Sequence, residues 1–172
     1  MNKITHLTLF LGIVSALAGG ALAFANQLTA PIIAENEAKA AAENLMVMYP
    51  ELDPAAIEKV DISGIDSKTI EEVYRYGDCL IFKMSVSGYK EGTTFLVSIN
   101  VNDKTIDNFQ AISNGDTKGI GSQVMDEPFK EGLLGKDASQ DLDTISGATV
   151  SSSAVVNGIH EAANAVDQLK GE

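Results

Sequence analysis

The sequence predicts an α+β protein in which a single N-terminal transmembrane helix is followed by a small antiparallel sheet packed with helices. Three observations support this fold class: an uncharged apolar run near the N-terminus, a central block of β-rich runs separated by turn residues, and an apolar stripe at helical spacing near the C-terminus. The 172 residues leave room for one modest domain and an appendage.

The composition excludes several function classes. A formal net charge of −12 argues against nucleic acid as a partner, because the phosphate backbone would be repelled. The single cysteine, Cys79, excludes a disulfide within the chain and an iron–sulfur cluster held by four of its own cysteines. Because Cys79 begins an apolar run, we expect a buried thiol rather than a reactive or metal-binding one.

The first element is a helix long enough to cross a membrane. Residues 7–25 carry no charged side chain and, at about 1.5 Å per residue, would form a helix of roughly 28 Å. A removable signal peptide that ends near Ala23–Ala25 is the alternative, but Lys3 is the only charged side chain before the apolar run. We therefore expect a retained anchor. Lys3 and the N-terminal amine favour a cytoplasmic N-terminus, which places the residues after Asn26 on the extracytoplasmic side.

Small residues recur on one face of this helix. Gly12, Ala16 and Gly20 are spaced four residues apart, so another transmembrane helix could approach closely along that face. Glycine and alanine are also common in spanning helices in general, and the sequence leaves both readings open.

A helical linker is predicted after the anchor. Asn26–Gln27 interrupt the apolar run, and Thr29 followed by Pro31 is typical of the start of a helix. Residues 32–48 are rich in Ala, Glu and Leu and predict a helix next to the membrane. Two smaller features follow, a short helical piece at Pro54–Ile57 and a turn at Ser63–Gly64. The predicted division is residues 1–28 for the anchor, 29–66 for the linker and 67–172 for the domain.

Four β-rich runs separated by turn residues predict an antiparallel meander in the centre of the chain. The runs are Thr69–Arg75, Cys79–Val86, Thr93–Val101 and Thr105–Ile112. In the third run, apolar residues alternate with Leu96, Ser98 and Asn100, which predicts a sheet with one buried face. Residues 87–92 and 102–104 are the expected hairpin turns.

A loop, a polar stretch and a final helix complete the chain. Residues 114–121 contain three glycines and no apolar period, so we expect a loop there. A polar stretch is predicted between residues 128 and 141, and the final helix from about Ser152 to Leu169. The apolar stripe of that helix is formed by Val155, Ile159, Ala162, Val166 and Leu169.

The segment Asp143–Thr149, with the sequence DTISGAT, immediately precedes this helix. N–H groups in the first turn of a helix lack partners and lie at the positive end of its dipole, so a phosphate beside Thr149 would be stabilised. The small residues Gly147 and Ala148 let a bulky ligand approach the backbone. The same segment, with Ser151–Ser153 as candidate caps, also suits ordinary helix capping, and the residues alone favour capping.

DTISGAT resembles the flavinylation signature D-x-x-[S/T]-G-A-T of the covalent FMN-binding domain. The resemblance implies that Thr149 is esterified to the phosphate of FMN by a Mg²⁺-dependent flavin transferase that uses FAD as donor. It also implies that four further residues surround the flavin and are read by the transferase: Asp143, Ser146, Gly147 and Ala148. Residues 67–172 are accordingly the expected covalent FMN-binding domain, and Thr149 is expected to precede the final helix.

The loop Asn114–Gly121 (NGDTKGIG) is similar to the H-x-E-T-P-G-L-G segment of the same family, which lies beside the flavin. Thr117, Gly119 and Gly121 match that segment and are the expected flavin neighbours. The departures from the pattern include Asn114 in place of His, Asp116 in place of Glu and Lys118 in place of Pro. No role that needs the histidine is therefore carried over. Residues 88–92 also resemble the sheet hairpin of the family.

The family occurs in the G subunit of the Rnf ion-translocating ferredoxin:NAD⁺ oxidoreductase and in the C subunit of the Na⁺-translocating NADH:quinone reductase. The resemblance covers nearly the whole chain and implies a membrane-bound Rnf-type redox subunit that is not a complete enzyme alone. Such a subunit relays electrons between reduced ferredoxin and NAD⁺, coupled to Na⁺ or H⁺ movement. The implied partners are other membrane subunits, including a second one that carries flavin, and the flavin transferase. The quinone reductase subunit is the alternative, and the compact length favours the Rnf type.

Two alternative explanations come from other classes of protein. The first is an anchored, non-redox binding or assembly domain in which DTISGAT only caps a helix. The second is a hydrolase with Ser146 or Ser151 as nucleophile and His160 as base. No G-x-S-x-G elbow is present, and His160 lies inside the predicted helix, so this reading is weak.

Overall fold

The computed structural model of the chain describes residues 3–51 and 56–170, and the side chains of all of these except residues 3–5 and 30–42. The chain divides into two compact units, Met1–Leu45 and Met46–Glu172. The first unit is helical where it is described, and the second contains a sheet and further helices. The α+β class predicted from the sequence is confirmed.

Helix α1 runs without a break over Lys3–Met48. The predicted interruption at Asn26–Gln27 is therefore wrong, and Thr29 lies inside the helix instead of starting a second one. The Thr29 hydroxyl donates a hydrogen bond to the carbonyl oxygen of Ala25 at 3.0 Å, so it bonds back to the preceding turn and caps nothing. Pro31 also lies within α1, which shows that a single proline did not end this helix.

The segment His6–Thr29 of α1 is long and apolar enough to cross a membrane, judged by length and composition. No second segment of this kind occurs in residues 3–51 or 56–170. The side chains of residues 6–29 are all exposed, and an added Cβ at Gly12 or Gly20 would meet no atom within 4 Å. The small-residue face is thus open, and its packing against another helix stays a prediction.

The second unit is built on a five-stranded sheet in which each strand pairs antiparallel with the next one along the chain. The strands are β1 (Glu58–Val60), β2 (Ile70–Tyr76), β3 (Cys79–Val86), β4 (Thr93–Asn100) and β5 (Ile106–Asn114). The predicted meander is confirmed, and the ends of its four strands shift by at most two residues. The sequence does not predict β1, because three largely exposed residues are too few to show an alternation. Of the helical piece predicted at Pro54–Ile57, Pro54 and Ala55 lie outside the described residues.

Both faces of the sheet are covered at β4, so the expectation of a single buried face is wrong. Leu96 and Ser98, which alternate with the core residues of β4, are also buried. The hydroxyls of Tyr49 and Ser98 are hydrogen-bonded at 2.7 Å, and Asn108 Nδ2 donates to the carbonyl oxygen of Met48 at 2.7 Å. Residues 48 and 49 therefore lie over this face, which no strand pattern could reveal.

Helix α3 (Thr149–Leu169) packs on the opposite face, against β3 and β4. All five residues of its predicted apolar stripe are buried, which confirms that prediction. A Cβ added at Gly158 would lie 2.8 Å from Val86 Cγ1, so the helix and the sheet are in close contact there. The helix begins three residues before the predicted Ser152, and Thr149 is its first residue instead of preceding it.

A short helix, α2 (Glu127–Leu133), occupies part of the stretch that the sequence indicated as polar. Its two buried side chains, Phe129 and Leu133, are four residues apart and face the core, while the intervening residues are charged or small. The Phe129 ring meets the Phe109 ring edge-on, with 6.0 Å between the ring centroids. Two apolar residues in seven give too weak a period for a prediction from sequence.

Cys79 is a free thiol at the start of β3 and is only partly buried, not fully as expected. Burial raises the pKa of this thiol above its ordinary value, so less of it is in the reactive thiolate form at neutral pH.

Candidate functional site

Three segments of the second unit meet at the N-terminal end of α3 and enclose an open cleft of about 510 Å³. They are the turn between β3 and β4, the loop after β5 and the segment that leads into α3. The cleft is lined by Tyr89, Thr117, Ile120, Gly121, Gly147, Ala148, Thr149, Val150 and Ser151. A cleft of this volume falls in the range of roughly 300–1,000 Å³ that is typical of small-molecule sites.

The first turn of α3 offers backbone donors to this cleft. Ala148 is the N-cap residue, and its side chain caps nothing. The first N–H group with a helical acceptor is that of Ser152, which donates to the carbonyl oxygen of Ala148 at 3.0 Å. Among the hydrogen bonds of the described residues, none uses the N–H groups of Thr149, Val150 or Ser151. Three donors at the positive end of the helix dipole thus adjoin the exposed Thr149 side chain.

The serines predicted to cap α3 lie within its first turns, and Ser152 binds the turn that precedes the helix. The Ser152 hydroxyl donates to the carbonyl oxygen of Ala148 at 3.0 Å and accepts a hydrogen bond from the N–H group of Ile145 at 3.0 Å. It therefore ties the turn before the helix to the helix itself. Gly147, inside that turn, has φ +84°, a conformation that favours glycine. The capping role predicted for Ser151–Ser153 is wrong, because the helix starts before them.

Asp116 joins the three segments through both of its carboxylate oxygens. Its Oδ1 accepts hydrogen bonds from the N–H groups of Lys90 at 2.8 Å, Glu91 at 3.2 Å and Gly92 at 3.3 Å. Its Oδ2 accepts one from the Ser151 hydroxyl at 2.6 Å. One carboxylate in the loop after β5 thus holds both the hairpin turn and the first turn of α3.

The Asp116 carboxylate is ionised at neutral pH although the residue is only 8% exposed. Burial alone would raise its pKa, but hydrogen bonds from the Ser151 hydroxyl and from the backbone of the hairpin turn outweigh burial and lower the pKa to about 2. A buried charge that is fully hydrogen-bonded in this way is stable only while its donors stay in place.

Two glycines, Gly88 and Gly121, leave the space that the Asp116 side chain occupies. A Cβ added at Gly88 would lie 2.0 Å from Asp116 Oδ2. A Cβ added at Gly121 would lie 2.5 Å from Asp116 Cβ and 2.6 Å from Ser151 Oγ. The backbone of the hairpin turn and that of the loop therefore approach the carboxylate too closely for any side chain.

Of the eight predicted site residues, five line the cleft: Thr117, Gly121, Gly147, Ala148 and Thr149. The other three do not. Asp143 has a side chain that is 90% exposed and forms an ion pair with Lys136 at 2.6 Å, which lowers the pKa of its carboxyl. It lines a neighbouring cleft of about 270 Å³ with Phe129 and Ile145. Ser146 is exposed, and Gly119 donates its N–H to Ser122 Oγ at 2.9 Å.

Asn114, which stands where the resembling family has histidine, holds the loop in shape. Its Nδ2 donates to Thr93 Oγ1 at 2.7 Å, and its Oδ1 accepts the N–H of Asp116 at 3.0 Å. The side chain therefore orders the loop that carries Asp116.

Sequence reasoning missed Tyr89, Asp116 and Ser151 as members of the site. Asp116 was visible only as a departure from a family pattern, and Ser151 only as a candidate cap or hydrolase nucleophile. The hydrogen bond between Asp116 and Ser151 joins residues 35 positions apart, so no local sequence pattern predicts it. The signals for Tyr89 were an aromatic residue next to a glycine in a turn and the resemblance of Gly88–Tyr89 and Gly92 to the sheet hairpin of the family.

The arrangement does not fit a hydrolase. The Ser151 hydroxyl donates to Asp116, whereas His160 Nε2 lies 2.9 Å from the carbonyl oxygen of Gln140. Ser146 and His160 form no described hydrogen bond with each other, so neither candidate nucleophile has the base that activation requires.

Comparison with known proteins shows what this part of the chain is similar to. Residues 88–164 match the family model of the FMN-binding domain, a range that contains all nine residues that line the cleft. The chain is also 26% identical, over 191 aligned residues, to the G subunit of an ion-translocating oxidoreductase complex from Methanosarcina acetivorans. The alignment covers 99% of this chain and 98% of the relative. The resemblance read from the sequence is thereby confirmed.

Proposed function

We propose that this chain, whose residues 88–164 form an FMN-binding domain, is an electron-transfer subunit that holds FMN esterified through its phosphate to Thr149. One observation carries the proposal: an exposed threonine begins a helix whose first three N–H groups have no described partner, and it lies in a cleft of cofactor size.

The residues fit a phosphate ester at this position. A phosphate on Thr149 Oγ1 would lie beside N–H groups that need acceptors and at the positive end of the dipole of α3. Gly147 and Ala148 add no bulk to the backbone just before the ester. A side-chain cap would compete with phosphate for the same donors, and Ala148 supplies none. The absence of a cap at this described helix start favours a ligand site over the purely structural reading of DTISGAT.

Bound FMN supplies reversible electron transfer, while the protein sets its position and surroundings. In this chain Thr149 would hold the phosphate, and the apolar side chains of Ile120 and Val150, both about half-exposed, would exclude water from the ring and its chain. The two loops that flank the cleft are fixed to each other by Asp116, so the walls are formed before the cofactor arrives.

The relative of nearly equal length supports a place in an ion-translocating oxidoreductase complex as its G subunit. We infer that the chain spans the membrane once through His6–Thr29, with a cytoplasmic N-terminus and the FMN domain on the extracytoplasmic side. Residues 1–28 would then be the anchor, 29–66 the linker and 67–172 the flavin domain, and the C-terminal part of the linker, with Tyr49 and β1, packs on the sheet. Electrons would pass between reduced ferredoxin and NAD⁺, coupled to Na⁺ or H⁺ movement. The partners would be other membrane subunits, one of them a second flavin carrier, and a flavin transferase for maturation.

The C subunit of the Na⁺-translocating NADH:quinone reductase would share the attachment chemistry. The name of the relative, with its full-length alignment, favours the G subunit over that alternative.

Covalent attachment is tested on the full chain, co-expressed with a flavin transferase, denatured in SDS and examined for in-gel fluorescence and intact mass. The proposal expects a fluorescent band and an added mass of one FMN less water, roughly 438 Da. Thr149→Ala should abolish both signals and leave the fold nearly intact, since the side chain is exposed. Thr144→Ala, an exposed threonine in the same segment, is the matched control and should keep them. A flavin retained by denatured Thr149→Ala protein, or a dark wild-type band beside an active transferase, contradicts the assignment.

A further inference from the structure

We propose that Tyr89 is the side chain that covers the flavin ring in this cleft, and that Asp116 positions it by holding the hairpin turn against the first turn of α3. This inference rests on the proposed attachment of FMN to Thr149. Tyr89 would contact the cofactor, and Asp116 would act on the cofactor only through Tyr89.

Tyr89 is the tyrosine whose side chain has no partner within the described residues. The Tyr49 hydroxyl donates to Asp107 and is also hydrogen-bonded to the Ser98 hydroxyl, and the Tyr74 hydroxyl donates to Glu72. Tyr76 packs its ring on that of Tyr49, with 5.5 Å between centroids. The Tyr89 side chain makes no hydrogen bond or ring contact in the described part of the chain, and the residue is 74% exposed. A single exposed ring is ordinary on a protein surface, but one that shares a cleft with further exposed apolar side chains indicates a binding surface.

The position of Tyr89 connects that exposed ring to the cofactor site. Tyr89 lines the same cleft as Thr149, together with the exposed apolar side chains of Ile120 and Val150. The isoalloxazine of FMN is a flat aromatic system, and aromatic rings stack in offset or tilted arrangements that are worth about 0.5–1.5 kcal/mol beyond the area they bury. A cofactor ring in this cleft would give Tyr89 the partner that it otherwise lacks.

The hairpin turn that carries Tyr89 is rigidly held. The N–H groups of the next three residues, 90–92, all point to Asp116 Oδ1. The carbonyl oxygen of Gly92 accepts the N–H of Gly115 at 2.9 Å, which ties the end of the turn to the loop after β5. Gly92 has φ +110°, and a Cβ there would lie 2.1 Å from the carbonyl oxygen of Val86. The backbone on the C-terminal side of Tyr89 is thus fixed by several hydrogen bonds, and at Gly92 its conformation requires glycine.

The same carboxylate reaches the helix that carries the attachment residue. Asp116 Oδ2 accepts the hydroxyl of Ser151, two residues after Thr149 and on the same helical turn. Gly88 and Gly121 leave no space for a Cβ beside Asp116, so the hairpin turn and the loop approach this side chain closely. The separation of Tyr89 from Thr149 is therefore set by one buried carboxylate.

A residue that only stabilises the domain would not alter the surroundings of the flavin, and fluorescence distinguishes the two roles. A tyrosine stacked on an excited flavin donates an electron to it and takes it back, which shortens the fluorescence lifetime. A phenylalanine covers the ring but is far harder to oxidise. The fluorescence lifetime of the flavin therefore shows whether the Tyr89 phenol lies against it. Quenching of the flavin fluorescence by added iodide shows how far the isoalloxazine is covered.

The experiment uses the full-length holoprotein in detergent, with FMN on Thr149 checked by intact mass in every sample. Tyr89→Leu should lose the short-lifetime component and raise the iodide quenching constant. Tyr89→Phe should lose the short-lifetime component but keep the wild-type iodide constant. Asp116→Asn should shift both readings toward those of Tyr89→Leu although Tyr89 is still present.

Two further variants separate positioning from folding. Ser151→Ala removes one hydrogen bond to Asp116 and keeps the three from the hairpin turn, so it should shift both readings less than Asp116→Asn. Asp103→Asn is the matched control, because Asp103 is an exposed carboxylate that accepts the N–H of Thr105 at 3.0 Å in a different hairpin. It should leave both readings unchanged. If Asp116→Asn does not fold, Ser151→Ala and the two Tyr89 variants still decide the matter.

The outcomes are distinct. A wild-type chain without FMN on Thr149 refutes the proposed function, and the inference falls with it. Flavin on Thr149 with the same lifetimes in Tyr89→Leu and wild type overturns the role of Tyr89 alone. A short-lifetime component that persists in Asp116→Asn and Ser151→Ala overturns the role of Asp116.

Discussion

Acid should weaken the domain through Asp116, and Asp116→Asn should abolish that part of the pH dependence. The pKa of this carboxyl is lowered from 3.8 to about 2 in the folded chain. At 1.36 kcal/mol for each unit, the ionised form stabilises the fold by about 2 kcal/mol. A lowered pKa means that the stabilisation is complete above about pH 4 and is lost as the pH falls toward 2.

Hydrogen bonds or a neighbouring charge also lower the pKa values of other carboxyls, namely those of Asp61, Asp103, Asp137 and Asp143. The variant is needed because it separates the contribution of Asp116 to the pH dependence from theirs. At pH 7, Asp116→Asn should lose the electrostatic contribution of about 2 kcal/mol. It should lose about 1–3 kcal/mol more, because an amide nitrogen faces N–H or O–H donors. Near pH 2 the difference in unfolding free energy between wild type and Asp116→Asn should therefore shrink to the contribution of about 1–3 kcal/mol from the amide nitrogen.

The assay is urea unfolding of the full chain in detergent between pH 7 and pH 2, followed by the circular dichroism of the sheet. Wild type and Asp116→Asn are compared at each pH, and Asp103→Asn serves as the exposed control. The free-energy difference between wild type and Asp116→Asn should narrow as the pH falls from about 4 to about 2. A difference that stays constant from pH 7 to pH 2 would show that the carboxylate is not held in its ionised form by the hairpin turn, and the reasoning would fail.

Three further results are expected. Gly121→Ala should destabilise the domain by about 1–3 kcal/mol in urea unfolding and reduce flavin incorporation, since its Cβ would meet Asp116 and Ser151, whereas Gly64→Ala, with open space around it, should do neither. Ile159→Ala, fully buried between α3 and the sheet, should cost about 2–5 kcal/mol in the same assay, and a smaller loss would mean that this part of the core repacks. Cys79 should react with iodoacetamide near pH 8 more slowly in the folded than in the unfolded chain, because burial raises its pKa, and equal rates would contradict that environment.

The parts of the fold that follow from the sequence are those whose signal is local. β3 begins and ends where the apolar run and the flanking turn residues place it. The stripe of α3 is buried because a period of 3.6 residues can face only one side of a helix. β1 and α2 were missed because three exposed residues and two apolar residues in seven carry almost no period.

Hydroxyl residues are misleading as boundary signals where they find a hydrogen-bond acceptor within the helix itself. Thr29 has the side chain of a helix cap, yet its hydroxyl bonds to Ala25 within α1. Ser152 looks like a cap for α3, yet it lies in the first turn and binds the carbonyl oxygen of Ala148. A short hydroxyl side chain serves equally well before a helix or inside it, so its presence cannot fix a boundary.

The candidate site likewise contains residues that a local motif predicts and residues that only the fold brings together. Thr149 and its small neighbours are contiguous in sequence, so a motif could place them together. Asp116 and Ser151 are joined across the fold, and neither is unusual in its own segment. A buried carboxylate requires all its acceptor positions to be filled, but which donors fill them is decided by how the hairpin, the loop and the helix pack.

The distribution of donors at the start of α3 explains how two anions can share this corner. A phosphate on Thr149 and the carboxylate of Asp116 would repel each other, and each needs several hydrogen bonds to be stable out of water. Asp116 draws its donors from the hairpin turn and takes only a hydroxyl, that of Ser151, from the helix. The backbone N–H groups of Thr149, Val150 and Ser151 are left for the phosphate. If Asp116 instead capped the helix backbone, it would occupy the donors that the proposed ester needs. The hairpin turn would thus serve the proposed cofactor site, because it supplies the carboxylate with donors from outside the helix.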